Sequence, residues 1–186
     1  MESSLFSSMK RIPLIILFLI ISATTSFAQN AATVTKASIK FQIKNLGINT
    51  GGTIGGVKAT ILFNPAQLAT SSIEATADVA TINTDNDERD THLRSADFFE
   101  AQRYPHIIMK SVSFNHKSGA NYVGKFNVTI KDKTKQLDVP FTFTENGGTA
   151  AITGTVKLNR LDFGVGGSSL VLSDNVTATI TVEMNK

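Results

Sequence analysis

The chain has 186 residues, with 18 Lys plus Arg against 15 Asp plus Glu, a formal net charge of +3, and neither Cys nor Trp. Its 41% hydrophobic and 18% charged content is that of one globular domain, not of a disordered tail, a fibre or a multi-span membrane protein. The lack of Cys excludes disulfides, thiol catalysis, Cys-ligated metal and Cys-linked lipid, and the small net charge gives no basis for nucleic-acid binding.

The first segment has the pattern of a signal peptide. Lys10 and Arg11 precede the apolar run Ile12–Ile21, and Ser26-Phe27-Ala28 is a small-x-small cleavage site. The run is about half the ~20 residues that span a bilayer. Cleavage after Ala28 leaves one domain over residues 29–186 and no second run of spanning length. The expected location is therefore the periplasm or the medium.

The rest alternates with period two, the mark of strands with one buried face. Ile39, Phe41 and Ile43 are the apolar set of the first strand. Val57, Ala59, Ile61 and Phe63 follow in a second strand, which Asn64-Pro65 ends. Ile73, Ala75, Ala77 and Val79 mark a third. Residues 107–114 form a fourth whose inward face the pattern leaves open. Tyr122, Gly124, Phe126, Val128 and Ile130 mark a fifth, and Leu137, Val139, Phe141 and Phe143 a sixth. Ile152, Val156 and Leu158 mark a seventh, and Val176 through Met184 an eighth. Asn49-Thr50-Gly51-Gly52, Lys117-Ser118-Gly119, Asn146-Gly147-Gly148 and Ser173-Asp174-Asn175 are expected turns, and Gly55-Gly56 an expected bend. Short connections make neighbouring strands antiparallel.

Residues 85–104 break the alternation. Thr84 or Asp85 can cap one short helix, Ser95 a second that carries Phe98 and Phe99, and Pro105 ends the segment. The expected fold is thus all-β: eight antiparallel strands with one or two short helices between strands 3 and 4, which form either a two-sheet sandwich or a closed barrel. Such a barrel either fills its interior with side chains or encloses a small ligand. Periodicity leaves both open. Ala59, Ala75, Ala77, Gly124 and Ala178 on the apolar faces favour a cavity.

Two strings go further. Arg89-Asp90-x-His92-Leu93-x-Ser95-x-Asp97-Phe98-Phe99 is followed by Tyr104-Pro105. Asn159-Arg160-Leu161-Asp162-Phe163-Gly164 follows Gly124-x-Phe126-x-Val128-Thr129-Ile130 and Thr134-Lys135. Together they resemble the YceI-like family of secreted lipocalin-like proteins, from Ser38 to Val182. The chain departs from the family's usual pattern at Asp132, where Gly is common, and at Asn64, where Asp is common before Pro65. The resemblance implies that the eight strands close into an antiparallel lipocalin-like barrel, which holds an isoprenoid, quinone or similar amphiphile in an apolar cavity for sequestration or transport. The candidate lining is Phe41, Phe63, Ile107, Met109, Phe126, Val128, Phe141, Phe143 and Phe163, with Phe98 and Phe99 at one end.

The polar residues Arg89, Asp90, His92, Arg160 and Asp162 have two readings. They contact a ligand head group, or they brace the fold by pairing with one another. No nucleophile elbow surrounds Ser95, so no enzyme activity is expected. Asp85-x-Asp87 begins like a calcium loop. Asp90 stands where that loop needs Gly, however, and Ala96 where it needs Glu, so no metal site is expected. Nor is a cofactor expected other than the bound lipid. The partner is a hydrophobic small molecule or lipid, and a homodimer is left open. The alternative is a fully packed barrel that acts as a stress-related protein-interaction module.

Overall fold

The structure is a computed structural model that describes residues 31–185; the expected signal peptide lies outside them. The elements are β1 (Thr33–Asn45), β2 (Ile48–Ile54), β3 (Lys58–Leu62), β4 (Ser72–Asp78), α1 (Asp87–Arg94), β5 (His106–Ser118), β6 (Asn121–Ile130), β7 (Lys133–Asn146), β8 (Thr149–Asn159) and β9 (Leu172–Asn185). They form one nine-stranded antiparallel sheet in the order β2-β1-β9-β8-β7-β6-β5-β4-β3. The architecture is all-β, as the alternation indicates, and a barrel, as the family resemblance implies, with nine strands in place of eight.

The extra strand comes from a break. β1 pairs with β2 up to Ile39↔Ile54. Seven residues further along each strand the pairing resumes, in the same register, at the bridge Ala32↔Ile61, where the Ala32 N–H donates to the Ile61 carbonyl at 3.0 Å. β2 and β3 thus act as one barrel strand interrupted at Gly55-Gly56, and the curled sheet closes on itself. Gly56 takes φ +59°, and a Cβ there would lie 2.6 Å from the Asp78 Cβ. Both facts require glycine.

Two expected turns are instead strand. Residues 49–52 lie inside β2, and the actual turn is Leu46-Gly47, both at positive φ. The glycines at 51 and 52 serve close approach: a Cβ on Gly52 would meet the Asn83 carbonyl oxygen at 2.4 Å. Residues 173–175 open β9, and residues 164–171 supply the connection. Turns at Gly119 and at Gly147-Gly148 lie where the sequence places them, all three glycines at positive φ. At the β6–β7 turn the positive φ falls on Lys131, not on Asp132. Asn64 accepts from the Ala66 N–H at 2.9 Å, as an Asp before Pro65 would.

The 85–104 segment forms one α-helix only. Asn86, rather than Thr84 or Asp85, is its N-cap, and its side chain accepts from the Arg89 N–H. Ser95 caps the C-terminus through a 2.7 Å bond to the His92 carbonyl, and residues 96–99 are turns. A hydroxyl already spent on the preceding carbonyl starts no second helix.

The inward face of β5 changes along its length. Ile107 and Met109 face the interior, and so does Phe114, because the register with β6 shifts between Ser111 and Ser113. The extra residue of this β-bulge leaves Val112 half exposed. A strict period of two has no place for such a residue.

The interior divides in two. At one end the Phe63 ring meets those of Phe114, Tyr122, Phe141 and Phe143 edge-on, at centroid distances of 5.3, 5.2, 5.4 and 4.8 Å. Phe126 packs on Phe114 at 5.8 Å, over Gly124. This end is close-packed aromatic core, and Gly124 contributes room for a ring rather than for a ligand. Truncating Phe141 to Ala should destabilise the fold by about 3–5 kcal/mol, the usual range for a buried aromatic. Phe141→Asp should do more, by placing a carboxylate in an apolar interior. Denaturant unfolding midpoints of the two variants check both.

Candidate functional site: an apolar cavity under a helical cap

The other end of the barrel is hollow. A cavity of about 350 Å³ runs along β1 from Ile39 to Asn45 and along β9 from Val182 to Leu172. Val128 and Ile130 of β6, Val156 and Leu158 of β8, Ala75 and Ala77 of β4, and Ile107 and Met109 of β5 complete its wall. Strand pleat places these residues. They are the inward positions of the same strands whose other halves carry the aromatic core. Apart from Phe41 their side chains are aliphatic or small, so they leave space where the packed rings do not. The volume falls at the lower end of the range of small-molecule sites.

Among the candidate lining residues, Phe41, Ile107, Met109, Val128, Phe98 and Phe99 stand at the cavity wall. Phe63, Phe126, Phe141 and Phe143 belong to the packed end, and Phe163 is fully buried in the same core beneath the turn after β8. Ala75, Ala77 and Ala178 do border the space, whereas Ala59 packs against the core. Ile39, Ile43, Ile54, Val57, Ile180 and Leu158 also line it. Except for Ile54, which lies in the unforeseen β2, their signal was the alternation itself, which marks the inward face but not how far along the barrel the core ends.

The cap over this end is built on Thr84, which is buried. Its N–H and hydroxyl both donate to Asp90 Oδ1, at 2.9 and 2.5 Å. Arg89 Nε donates to the Thr84 hydroxyl at 2.8 Å, and Nη2 to the Thr84 carbonyl at 2.6 Å. Asp90 is buried and fully engaged here. Arg89 and His92 reach the cavity. The His92 ring stands edge-on to Phe98 at 4.9 Å, with Nε2 3.8 Å from the exposed Asp97 carboxylate. Ser95 is turned to the His92 main chain and not to its ring.

Arg160 is 3% exposed and holds the second side of the mouth. Nε donates to the Ser173 carbonyl at 2.9 Å, Nη1 to Val165 at 2.9 Å, and Nη2 to Asp174 Oδ1 at 3.1 Å. Gly166, at φ +70°, lets the chain pass between Arg160 and Phe98, where a Cβ would lie 2.9 Å from each. Arg160 thus pairs with Asp174 rather than with Asp90, and Asp162 is exposed on the rim. Thr84 and Asp174, the partners that complete both networks, lie outside the two strings. Their local sequence marked Thr84 only as a helix-cap candidate and Asp174 only as a turn residue. Among the described residues no three His, Asp or Glu side chains converge as metal ligands.

The YceI-like domain family matches residues 31–184, nearly the whole described chain. The protein belongs to the YceI-like family. A UPF0312 protein of Vibrio cholerae serotype O1 is 32% identical over 145 residues, covering 73% of this chain and 77% of its own. The crystal structure of Burkholderia cenocepacia BcnA superposes with a TM-score of 0.76 at 25% identity, over 79% of this chain and 95% of that one. A polyisoprenoid binding domain from Saccharophagus degradans, implicated in plant cell wall breakdown, shares the fold with a TM-score of 0.63 at 14% identity, over 83% of this chain and 97% of that one.

Removing the Arg160 guanidinium leaves the Ser173 and Val165 carbonyls without their donor, while Asp174, 41% exposed, is resolvated; an unsatisfied buried acceptor typically costs about 1–3 kcal/mol. In this YceI-like protein Arg160→Met should therefore lower the unfolding midpoint by that order. It should also raise hydrogen exchange in residues 164–173 before it does so in β6 and β7. Exchange mass spectrometry on the folded variant checks the order.

Proposed function

We propose that the protein is an exported lipid-binding barrel that holds the chain of one isoprenoid, quinone or similar amphiphile in its cavity and performs no bond chemistry on it. The observation that carries this reading is the contrast within one interior. One end is packed with rings, while about 350 Å³ at the other end stays open and is bordered almost wholly by apolar groups, mostly aliphatic. The apolar wall of a hollow that opens at a mouth is wetted or left without packing partners, and a bound chain covers it. Each methylene transferred from water adds about 0.8 kcal/mol, less the losses of immobilisation.

Arg89 is the proposed head-group partner. Its bonds to Thr84 use Nε and Nη2 and leave Nη1 for an anionic or polar group at the mouth. The cap has positive groups at the cavity and no acceptor pair suited to a cation. Two further observations support the reading. The N-terminal pattern of residues 1–28 agrees with export to the periplasm or medium. A domain of the same fold is described as polyisoprenoid binding. The packed interaction module, with no room for a ligand, does not account for the cavity.

Organic extraction of the natively purified protein, read by mass spectrometry against a mock purification, should yield one long-chain amphiphile in stoichiometric amount. Ala178→Phe places a ring in the cavity opposite Phe41. It should leave the barrel folded and lower lipid occupancy by about tenfold or more, since the lost volume admits fewer methylenes. An unchanged occupancy in that variant, with the melt retained, would refute the cavity as the binding place.

A further inference from the structure

Leu46, Ile48, Val112, Leu170 and Val171 are the exposed large hydrophobic residues among those described, and all but Val112 lie together. Leu46 and Ile48 form the tip of the β1–β2 hairpin, 71% and 70% exposed. Leu170, fully exposed, and Val171 form the end of the 164–171 connection. The Leu46 N–H donates to the Val171 carbonyl at 2.8 Å, which joins the two loops. The next residues inward, Asn45 and Leu172, pair with each other and line the cavity. The apolar tip is therefore continuous with the cavity wall.

Leu46 is also in an unfavourable conformation. It takes φ +51° in a two-residue turn with Gly47 at +79°, where Asn is the favoured first residue. A leucine that is both strained and exposed does nothing for folding. The surrounding charges are arranged to match. Lys40 and Lys44 on β1 and Lys157 on β8 are exposed on the outer wall behind the tip. Of the acids at this rim, Asp174 on β9 is taken by Arg160, and the exposed Asp162 lies in the 160–163 turn next to Gly164, whose carbonyl accepts from Lys131. The acids of α1, Asp87 and Glu88, and neighbouring Asp85 are set back. The Thr53↔Asn83 bridge places that segment five residues from Ile48, about 16 Å of strand.

We propose that the Leu46-Gly47-Ile48 tip and Leu170-Val171 together dock the barrel mouth on an anionic lipid bilayer, so that a chain passes between membrane and cavity without crossing water. The proposal rests on the cavity reading for its purpose but not for its test. The occupant follows from the surface. Four side chains fall far short of the roughly 20–30 residues per side of a specific protein interface. An apolar tip backed by lysines is the pattern of interfacial insertion.

The test uses the chain from Gln29 onward, which carries the whole barrel, and a Leu46→Asn/Ile48→Ser/Leu170→Ser variant. Flotation with vesicles of phosphatidylglycerol and phosphatidylethanolamine in equal parts measures docking. Native mass spectrometry with farnesol, in the absence of vesicles, measures the cavity. Asn tolerates the left-handed region, so the variant should melt at or above the parent. The parent should float with the vesicles, less so with neutral phosphatidylcholine. The variant should lose vesicle binding by about tenfold or more while taking up farnesol as before. A parent that stays off the anionic vesicles, or a variant that binds them equally, would overturn the proposal. So would a parent dimer in sedimentation that the variant abolishes without any vesicle binding, since the patch would then cover a second copy. If neither protein takes up farnesol, the cavity reading falls, while vesicle binding lost only in the variant still upholds the docking surface.

Discussion

The enclosed interior depends on how the sheet meets itself. β1 is hydrogen-bonded to β9 along one edge, and along the other to β2 and then, through Ala32 and Ile61, to β3. That last contact keeps the register of the β1–β2 ladder across the Gly55-Gly56 break. Without the break the strand would have to bend around the barrel as one stiff ribbon. With it, the chain crosses from β2 to β3 close against Asp78, and the curl closes. A closed sheet has an inside that water does not reach freely, and both the aromatic core and the cavity are made there.

Given closure, one rule sorts every inward position by size. Rings gather where β6 and β7 present Tyr122, Phe126, Phe141 and Phe143 and where Phe63 and Phe114 come across from β3 and β5. These side chains supply the packing that a chain without disulfides must find elsewhere. Beyond Val128 and Val156 the inward residues other than Phe41 are mostly aliphatic or alanine, and the interior opens. Stability and capacity are thus separated along the barrel axis. The packed end can hold the fold while the hollow end tolerates being empty or filled.

The mouth is made by two arginines with different surroundings. Arg160 is buried, with carbonyls and a carboxylate around it, and so holds residues 164–173 in place. Arg89 lies at the surface of the cap and shares Thr84 with Asp90. The first guanidinium is committed to the fold, whereas the second faces the cavity with a nitrogen to spare. The glycines at 164 and 166, both at positive φ, let the intervening chain turn tightly over Arg160.

Much of this was legible in the order of residues. Alternation identified seven of the barrel's strands and their inward faces, because a strand's side chains leave it on alternate sides whatever it pairs with. The two strings located the cap and the mouth. Other features required the tertiary structure. Residues 49–52 read as a turn because glycine there signals conformational freedom, when its cause is the nearness of Asn83. The face of β5 depends on a bulge opposite β6. Arg160 found Asp174, and Asp90 found Thr84, across gaps that no spacing encodes. Where aromatic core ends and cavity begins was likewise undetermined, because inward residues look alike in one dimension. For seven strands the order of residues alone shows which side is buried, because that is a local property of the backbone. Only the closed barrel decided which of those buried positions touch one another and which face empty space, since that depends on strands brought together from distant parts of the chain.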